Sequence, residues 1–368
     1  MDKSLADLLN QYDAGAALEE AYTIPASWYV EERMEQAERG NVFGCNWIAV
    51  GRLDQVQKEG QFFTVEVAGE PLVVVRGADG ELRAFYNVCR HHAAAVANVP
   101  CGTVQHLRCP YHGWTYGLDG TLKGAPEFAG VCNFDRAANG LVPVRVGMWE
   151  QFVFISLDEK ALELKEWLGD LPERVAPLAI GSLNFFERKS YTLDCNWKVY
   201  VDNYLDGGYH VPHLHKGLNS VLDYKEYTIE NSARYSLQSS PMVSSEEHAS
   251  FAATRTGDRA YYYWLYPNFM INIYRGVMDT NLVLPLGGDR CLVQFDFYFA
   301  DVSESARSTN VESVAVSDRI QDEDVDICES VQQGLRSRAY RAGRLSVRRE
   351  GGEHLFHRLL AADLRRAI

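Results

Sequence analysis

The chain reads as an α+β protein of two domains: a small antiparallel β domain that carries a Cys/His metal site, and a larger domain that combines a second antiparallel sheet with helices. Three observations predict this. With 368 residues and 46% hydrophobic content, the chain is long enough for two hydrophobic cores. Positions 41–157 hold short apolar runs separated by turn residues, the texture of closely spaced β-strands. From 158 onward helical spacing and longer alternating strands are mixed, and residues 1–40 are assigned to this second domain.

In order, Leu5, Leu8, Leu9, Leu18 and Ala21 repeat with helical spacing until Pro25, so the first forty residues are expected to form helix that packs on a domain. Strands follow at Phe62–Val67, Leu72–Val75 and Leu82–Tyr86, with Asp79-Gly80 turning between the last two. Cys89 comes just after the third strand and His112 just before the strand and turn of Trp114–Gly120, so both segments are expected at hairpin tips. Val142–Leu157 supplies closing strands.

Those two segments hold the first chemistry. Cys89-Arg90-His91 and Cys109-Pro110-Tyr111-His112-Gly113-Trp114 each contribute one Cys and one His. Thiolate with imidazole suits zinc or an iron–sulfur centre rather than magnesium or calcium. Structural zinc sites usually pair like with like, whereas a [2Fe–2S] cluster with two Cys on one iron and two His on the other needs this division. His92 could compete with His91, but the one-residue Cys-x-His spacing favours His91. Cys101 reads as a structural or free thiol. The two segments together resemble the Rieske motif of the ring-hydroxylating oxygenases. Where respiratory Rieske proteins carry a Ser after His-Gly, Trp114 stands here, and one fewer hydrogen bond to the cluster sulfurs implies a lower potential.

After helical spacing at Ala161, Leu164, Trp167, Leu168 and Leu171 comes Asn196-Trp197-Lys198, then Asp202-Asn203, Tyr209-His210 and His215. Two His and one carboxylate leave positions open on Fe(II) for oxygen and substrate. This stretch resembles the catalytic segment of the same family. The resemblance implies that His210 and His215 bind a mononuclear Fe(II), with His213 near the metal or the substrate, and that Asp206 bridges the two metal centres across a subunit boundary. In many relatives that acid stands three residues before the first His; here Gly207 holds that place and Asp206 is four before. The third ligand lies in the acidic run 321–330, where the family comparison implies Asp324, with Asp326 as the fallback. The implied fold is a small antiparallel β Rieske [2Fe–2S] domain plus a helix-grip (START/Bet v 1-like) catalytic domain, whose sheet includes Tyr261–Tyr266, Asn281–Leu284 and Cys291–Phe299.

Asp202–Pro212, Tyr266–Asn272, Met278–Pro285 and Cys328–Gln332 further resemble the choline-hydroxylating branch of the family. A quaternary ammonium donates no hydrogen bond and is best held by aromatic faces. Tyr261, Tyr262, Tyr263, Trp264, Tyr266, Phe269 and Tyr274 are candidates for such a cage, with Tyr263, Trp264, Tyr266, Phe269 and His213 as the leading substrate contacts. The resemblance implies an NAD(P)H-dependent reductase or ferredoxin as electron donor, dioxygen as co-substrate, a small-molecule substrate and a homotrimer. A different substrate class, an aromatic ring or aromatic acid, stays open; it would call for an Arg in the pocket, whereas an ammonium compound calls for aromatic rings and a carboxylate. A pure electron carrier would need only about a hundred residues, a small-domain length.

Lys+Arg 36 against Asp+Glu 50 gives a formal charge of −14, which speaks against a nucleic-acid partner. No apolar run reaches the length of a membrane span, and the first residues lack the apolar core of a signal peptide. Together with eight cysteines read as free or metal-bound, this gives a cytoplasmic expectation.

Overall fold

The computed structural model describes residues 4–243 and 254–368. It divides into two compact units, Arg39–Trp167, and Met1–Glu38 together with Leu168–Ile368.

The smaller unit is built on a seven-stranded antiparallel sheet. Its strands lie in the spatial order Ile48–Arg52, Phe152–Ser156, Pro143–Trp149, Leu82–Tyr86, Glu70–Arg76, Gln61–Val67 and Cys101–Thr103. Leu72, Val73, Val74 and Val75 are all fully buried, which explains an unbroken apolar run at the centre of the sheet: both faces are covered. A three-stranded sheet of Leu107–Arg108, Thr115–Tyr116 and Leu122–Gly124 shares a core with it through Phe62, Val73, Phe85, Leu107, Trp114 and Tyr116.

Only one of the two metal-site loops is a hairpin tip. The Cys109–Trp114 loop joins the paired strands Leu107–Arg108 and Thr115–Tyr116. The loop with Cys89 instead leaves Leu82–Tyr86, whose edges are taken by Glu70–Arg76 and Pro143–Trp149, and crosses to Cys101–Thr103, which pairs with Gln61–Val67. The hairpin expectation assumed that sequential strands pair, and the later strand Pro143–Trp149 took that edge.

In the larger unit the N-terminal helix covers only Leu5–Leu9, started by a Ser4/Asp7 capping box. Leu18 and Ala21 lie in turns rather than helix. An Asp13 side chain that accepts from Gly15 N at 2.9 Å gives the backbone a local alternative to helix there. Short helices at Ser27–Val30 and Glu32–Glu38 follow.

A second seven-stranded antiparallel sheet runs Asn184–Leu193, Arg290–Phe299, Val277–Gly287, Phe269–Tyr274, Arg259–Leu265, Tyr235–Pro241, Thr228–Asn231. The helices Trp197–Leu205, Arg307–Leu335 and Gly351–Leu364 complete the unit.

Asn196-Trp197-Lys198 anchors the first of these helices. Asn196 caps it, accepting from Lys198 N at 3.1 Å, and donates to the Tyr29 carbonyl at 3.0 Å. Trp197 Nε1 and Lys198 Nζ donate to the two oxygens of Glu38 at 2.7 and 2.5 Å. Glu38 and Lys198 are both buried, so each depends on the other for its charge to be tolerated. No helix among the described residues is long and apolar enough to cross a membrane.

Candidate metal centres

Both loops of the smaller unit close in the same way. Cys89 N donates to Ala94 O and Ala93 N to Cys89 O, at 2.8 and 2.9 Å; Cys109 N donates to Trp114 O and Gly113 N to Cys109 O, at 2.8 and 3.1 Å. The fourth residue after each Cys, Ala93 or Gly113, is left-handed, with φ of 61° and 72°. This repeated turn sets two buried thiols, each 2% exposed, and two histidines on one rim. The His91 and His112 rings stand 4.7 Å apart, and His91 is stacked on Trp114 at 4.8 Å.

The rim fits a cluster. His91 Nδ1 is buried without a hydrogen-bond partner, as a ligating nitrogen must be, while His92 is exposed. Desolvation and the imidazoles of His92 and His112 hold His91 below the usual histidine range, favouring the neutral, ligating form. Tyr116 Oη accepts from Arg90 N at 3.0 Å, which leaves its hydroxyl proton for Cys89 Sγ at 3.3 Å. Trp114 Nε1 has no partner. Cys101 is an exposed free thiol.

In the larger unit His210, His215 and Asp324 bring one ligand atom each within 4.8 Å of one another. The His215 ring closes the Val211–Leu214 helical turn, and Asp324 comes from the long helix, where it is buried while Asp326 points to solvent. The acidic run is thus mostly a solvated helix face with Asp324 turned inward. His215 Nε2 lies 3.1 Å from Asp324 Oδ1, and Asn203 Nδ2 donates to the same oxygen at 2.8 Å. Each imidazole is held by a carboxylate at Nδ1: His210 by Asp206 and His215 by Glu323, both at 2.6 Å. Donating Nδ1–H leaves Nε2 free to ligate. Burial lowers the His215 pKa, but Asp324 and Glu323 outweigh it and hold the group above its usual range. Glu323 was invisible as a partner in the sequence because it sits beside the ligand in a run of acids.

The displaced Asp206 reaches His210 through two successive left-handed glycines, Gly207 at φ 70° and Gly208 at φ 67°. A Cβ on Gly207 would meet the Arg349 carbonyl oxygen at 2.1 Å. The Gly-Gly turn folds the extra residue out, so that Asp206 also accepts from Tyr209 N and His210 N at 3.1 and 3.0 Å.

A cavity of about 120 Å³ opens on the triad. Tyr200, Tyr204, Tyr227, Tyr262, Tyr274 and Phe295 line it, together with Asp279 and Arg255. One cross-strand row supplies much of its floor: Gln238 pairs with Tyr262, Tyr262 with Asn272, and Asn272 with Asp279. The tyrosine hydroxyls are engaged, Tyr204 to Asn272 at 2.8 Å, Tyr227 to Gln238 at 2.9 Å, and Tyr262 with Tyr274 at 2.9 Å. Their rings are therefore fixed as walls.

The expected cage is corrected here. Of its seven aromatics only Tyr262 and Tyr274 line the cavity. Tyr263 projects to the other face, against Tyr235 at 6.2 Å, as strand alternation requires. Trp264 and Tyr266 pack on Phe356 at 5.6 and 6.5 Å, and Phe269 lies opposite Leu265 and Leu282 farther along the sheet. His213 is exposed. None of these four aromatics nor His213 lines the cavity.

A Cys/His rim on a small β unit, and a two-His, one-carboxylate triad above a cavity in a sheet-and-helix unit, together define a two-centre oxygenase. The Rieske [2Fe-2S] domain family matches residues 46–135, and the ring hydroxylating alpha subunit (catalytic domain) family matches residues 180–365. The chain belongs to the Rieske non-haem iron oxygenases, whose cofactors are a Rieske [2Fe–2S] cluster and a mononuclear iron. It is 41% identical to the chloroplastic choline monooxygenase of Arabidopsis thaliana, over 98% of this chain and 87% of the relative. It is 33% identical to the carnitine monooxygenase oxygenase subunit of Escherichia coli (strain K12), over 93% and 94% of the two chains. Among solved structures, a quaternary ammonium Rieske monooxygenase in complex with L-carnitine superposes with a TM-score of 0.84, 28% identity and 99% coverage of both chains.

Proposed function

We propose that this oxygenase hydroxylates a C–H bond of a quaternary ammonium compound of the choline type. The observation that carries the reading is the cavity: six aromatic rings and the buried carboxylate of Asp279 line the space that opens on His210, His215 and Asp324. Aromatic faces and a carboxylate attract a desolvated quaternary cation, by about 2 kcal/mol or more for a well-placed ring. The relatives named for choline and carnitine support the same class.

In this reading Cys89, His91, Cys109 and His112 hold the cluster in the domain spanning residues 41–157, and His210, His215 and Asp324 hold the iron in the remainder. When bound, the cluster supplies single electrons and the ferrous iron binds and activates dioxygen. The chain's own contribution is positional. Asp206 and Glu323 keep the Nδ1 protons of His210 and His215 pointed away from the metal side. Asn203 fixes the Asp324 carboxylate, and the tied tyrosine hydroxyls keep the walls apolar. Asp206 is also the residue to bridge the two centres across a subunit boundary of a homotrimer. Electrons would come from NAD(P)H through a reductase or ferredoxin, in the cytoplasm.

The runner-up is an oxygenase acting on an aromatic acid, favoured by the one Arg in the cavity, Arg255. The test is oxygen- and reductant-dependent turnover of the purified protein, with a surrogate reductase, on quaternary ammonium compounds and aromatic acids. Hydroxylation of the ammonium series is expected; turnover of the aromatic acids alone would overturn the reading.

A further inference from the structure

The cavity contains two buried charges of opposite sign, and neither is neutralised by the protein around it. Arg255 is 3% exposed. Its terminal nitrogens donate to Ser313 Oγ, to Ser317 Oγ at 2.5 Å, and to the Ser313 and Thr254 carbonyls at 3.4 Å each. Its guanidinium carbon lies 5.1 Å over the Tyr274 ring. Every one of these partners is neutral, and no carboxylate among the described residues is within ion-pair distance. Asp279 is 4% exposed and accepts one hydrogen bond, from Asn272 Nδ2 at 2.7 Å. No cationic side chain among the described residues pairs with it either. Both residues line the same cavity.

A buried charge without a counter-charge is costly, and the cost is relieved when an opposite charge is brought to it. Hydrogen bonds from Arg255 hold the Ser313 and Ser317 hydroxyls with their oxygens toward the guanidinium, which leaves the Ser317 proton for an anion in the cavity. Asp279 and the faces of Tyr262 and Tyr274 make the opposite, cation-accepting end. Burial raises the Asp279 pKa while Arg255 pulls it down, so each charge feels the other without contact.

Resting on the quaternary ammonium reading above, we infer that the substrate is a zwitterion: a trimethylammonium group held at Asp279 and an anionic group, a carboxylate above all, held at Arg255 and Ser317. Choline would satisfy Asp279 and leave Arg255 unpaired. An aromatic acid would satisfy Arg255 and leave Asp279 unpaired. Only a molecule carrying both charges relieves both, because the two side chains already cancel and a net-neutral ligand keeps the cavity so.

The experiment compares kcat/KM of the cluster- and iron-loaded enzyme on choline, on trimethylammonium carboxylates with spacers of increasing length, and on benzoate. The best betaine should exceed choline by about a hundred-fold, the discrimination expected where a buried donor is left unpaired by the poorer ligand. Arg255→Gln should raise KM for the betaine by more than it lowers kcat and shrink the betaine-to-choline ratio at least about ten-fold, with Arg255→Lys restoring part of it. Calorimetric titration of the unmutated enzyme with betaine and choline gives the same comparison without a variant and should rank them alike. Choline turned over and bound as well as every betaine, or an equal loss on both in Arg255→Gln, would overturn the inference while leaving the ammonium reading intact. Turnover of benzoate alone would defeat both.

Discussion

Asp206 Oδ2 stands 2.6 Å from His210 Nδ1 and accepts from His210 N at 3.0 Å, so one carboxylate oxygen holds both the ring and the backbone of a metal-site histidine four residues on. The side chain is still partly exposed, at 16%, and can accept a further donor. Asp206→Asn keeps the volume but removes the charge and turns one acceptor into a donor. Both metals should stay bound, and electron delivery to the mononuclear iron should slow. In single turnover, the reduced cluster of the variant is expected to stay reduced after oxygen and substrate are added, while the parent reoxidises. Reoxidation at the parent rate would reduce Asp206 to a helix-capping acid.

The ligand sets were legible in the sequence because each is local: Cys-x-His, Cys-x-x-His and a His pair five apart are short enough for one turn to bring together. Asp324 needed a long-range partner, yet a single inward-facing acid on a helix was enough to pick it out. The cage was not legible, because a strand pattern shows alternation but not which end of the strand reaches the cavity. Tyr262 and Trp264 share a face, yet one lines the cavity and the other packs on Phe356. Tyr204, Tyr227 and Arg255 reach the same space from other elements, and Glu38 reaches Lys198 from 160 residues away, pairings no spacing rule encodes.

His210→Ala removes one of three groups whose ligand atoms converge within 4.8 Å. The variant should lose its mononuclear iron and its hydroxylation while keeping the Rieske signal, since Cys89, His91, Cys109 and His112 lie in the other unit. Metal analysis alongside EPR checks this; loss of the cluster signal would count against the separation of the two sites.

Lys198 and Glu38 form a buried pair with side-chain exposures of 0% and 3%. Lys198→Met should destabilise by roughly 3–5 kcal/mol, because it strands the Glu38 carboxylate, whereas Lys198→Met with Glu38→Leu should recover much of the loss. Denaturant unfolding of both variants decides it, with an additive double variant as the contrary result.

Tyr116 is the hydroxyl placed to donate to a cluster-side thiolate, with Oη 3.3 Å from Cys89 Sγ. Tyr116→Phe removes that donor and should lower the cluster's reduction potential without changing its ligands, since hydrogen bonds to sulfur stabilise the reduced, more negative state. Redox titration by EPR reads the shift. An unchanged potential would mean that the hydroxyl points away from the sulfur.

Glu353 offers a test in pH. It is 6% exposed, and its one polar neighbour among the described residues is His357 Nε2 at 3.8 Å. Burial, then the charges of Asp202, Glu350 and Asp206, hold its carboxyl well above the usual range. The folded chain therefore keeps a proton that the unfolded chain gives up near pH 4.3, the ordinary glutamate value. Below about pH 4.3 both states are protonated and the stability contribution is fully present; above it, stability falls with rising pH until the folded-state group also ionises. Glu353→Gln mimics the protonated acid at every pH, so it should match the parent near pH 4 and unfold at a progressively higher temperature than the parent as pH rises to 8. Melting curves across that range test the sign. A difference that is constant with pH would mean that Glu353 is ionised in the folded protein, with a cation or a water chain in its cavity holding the charge.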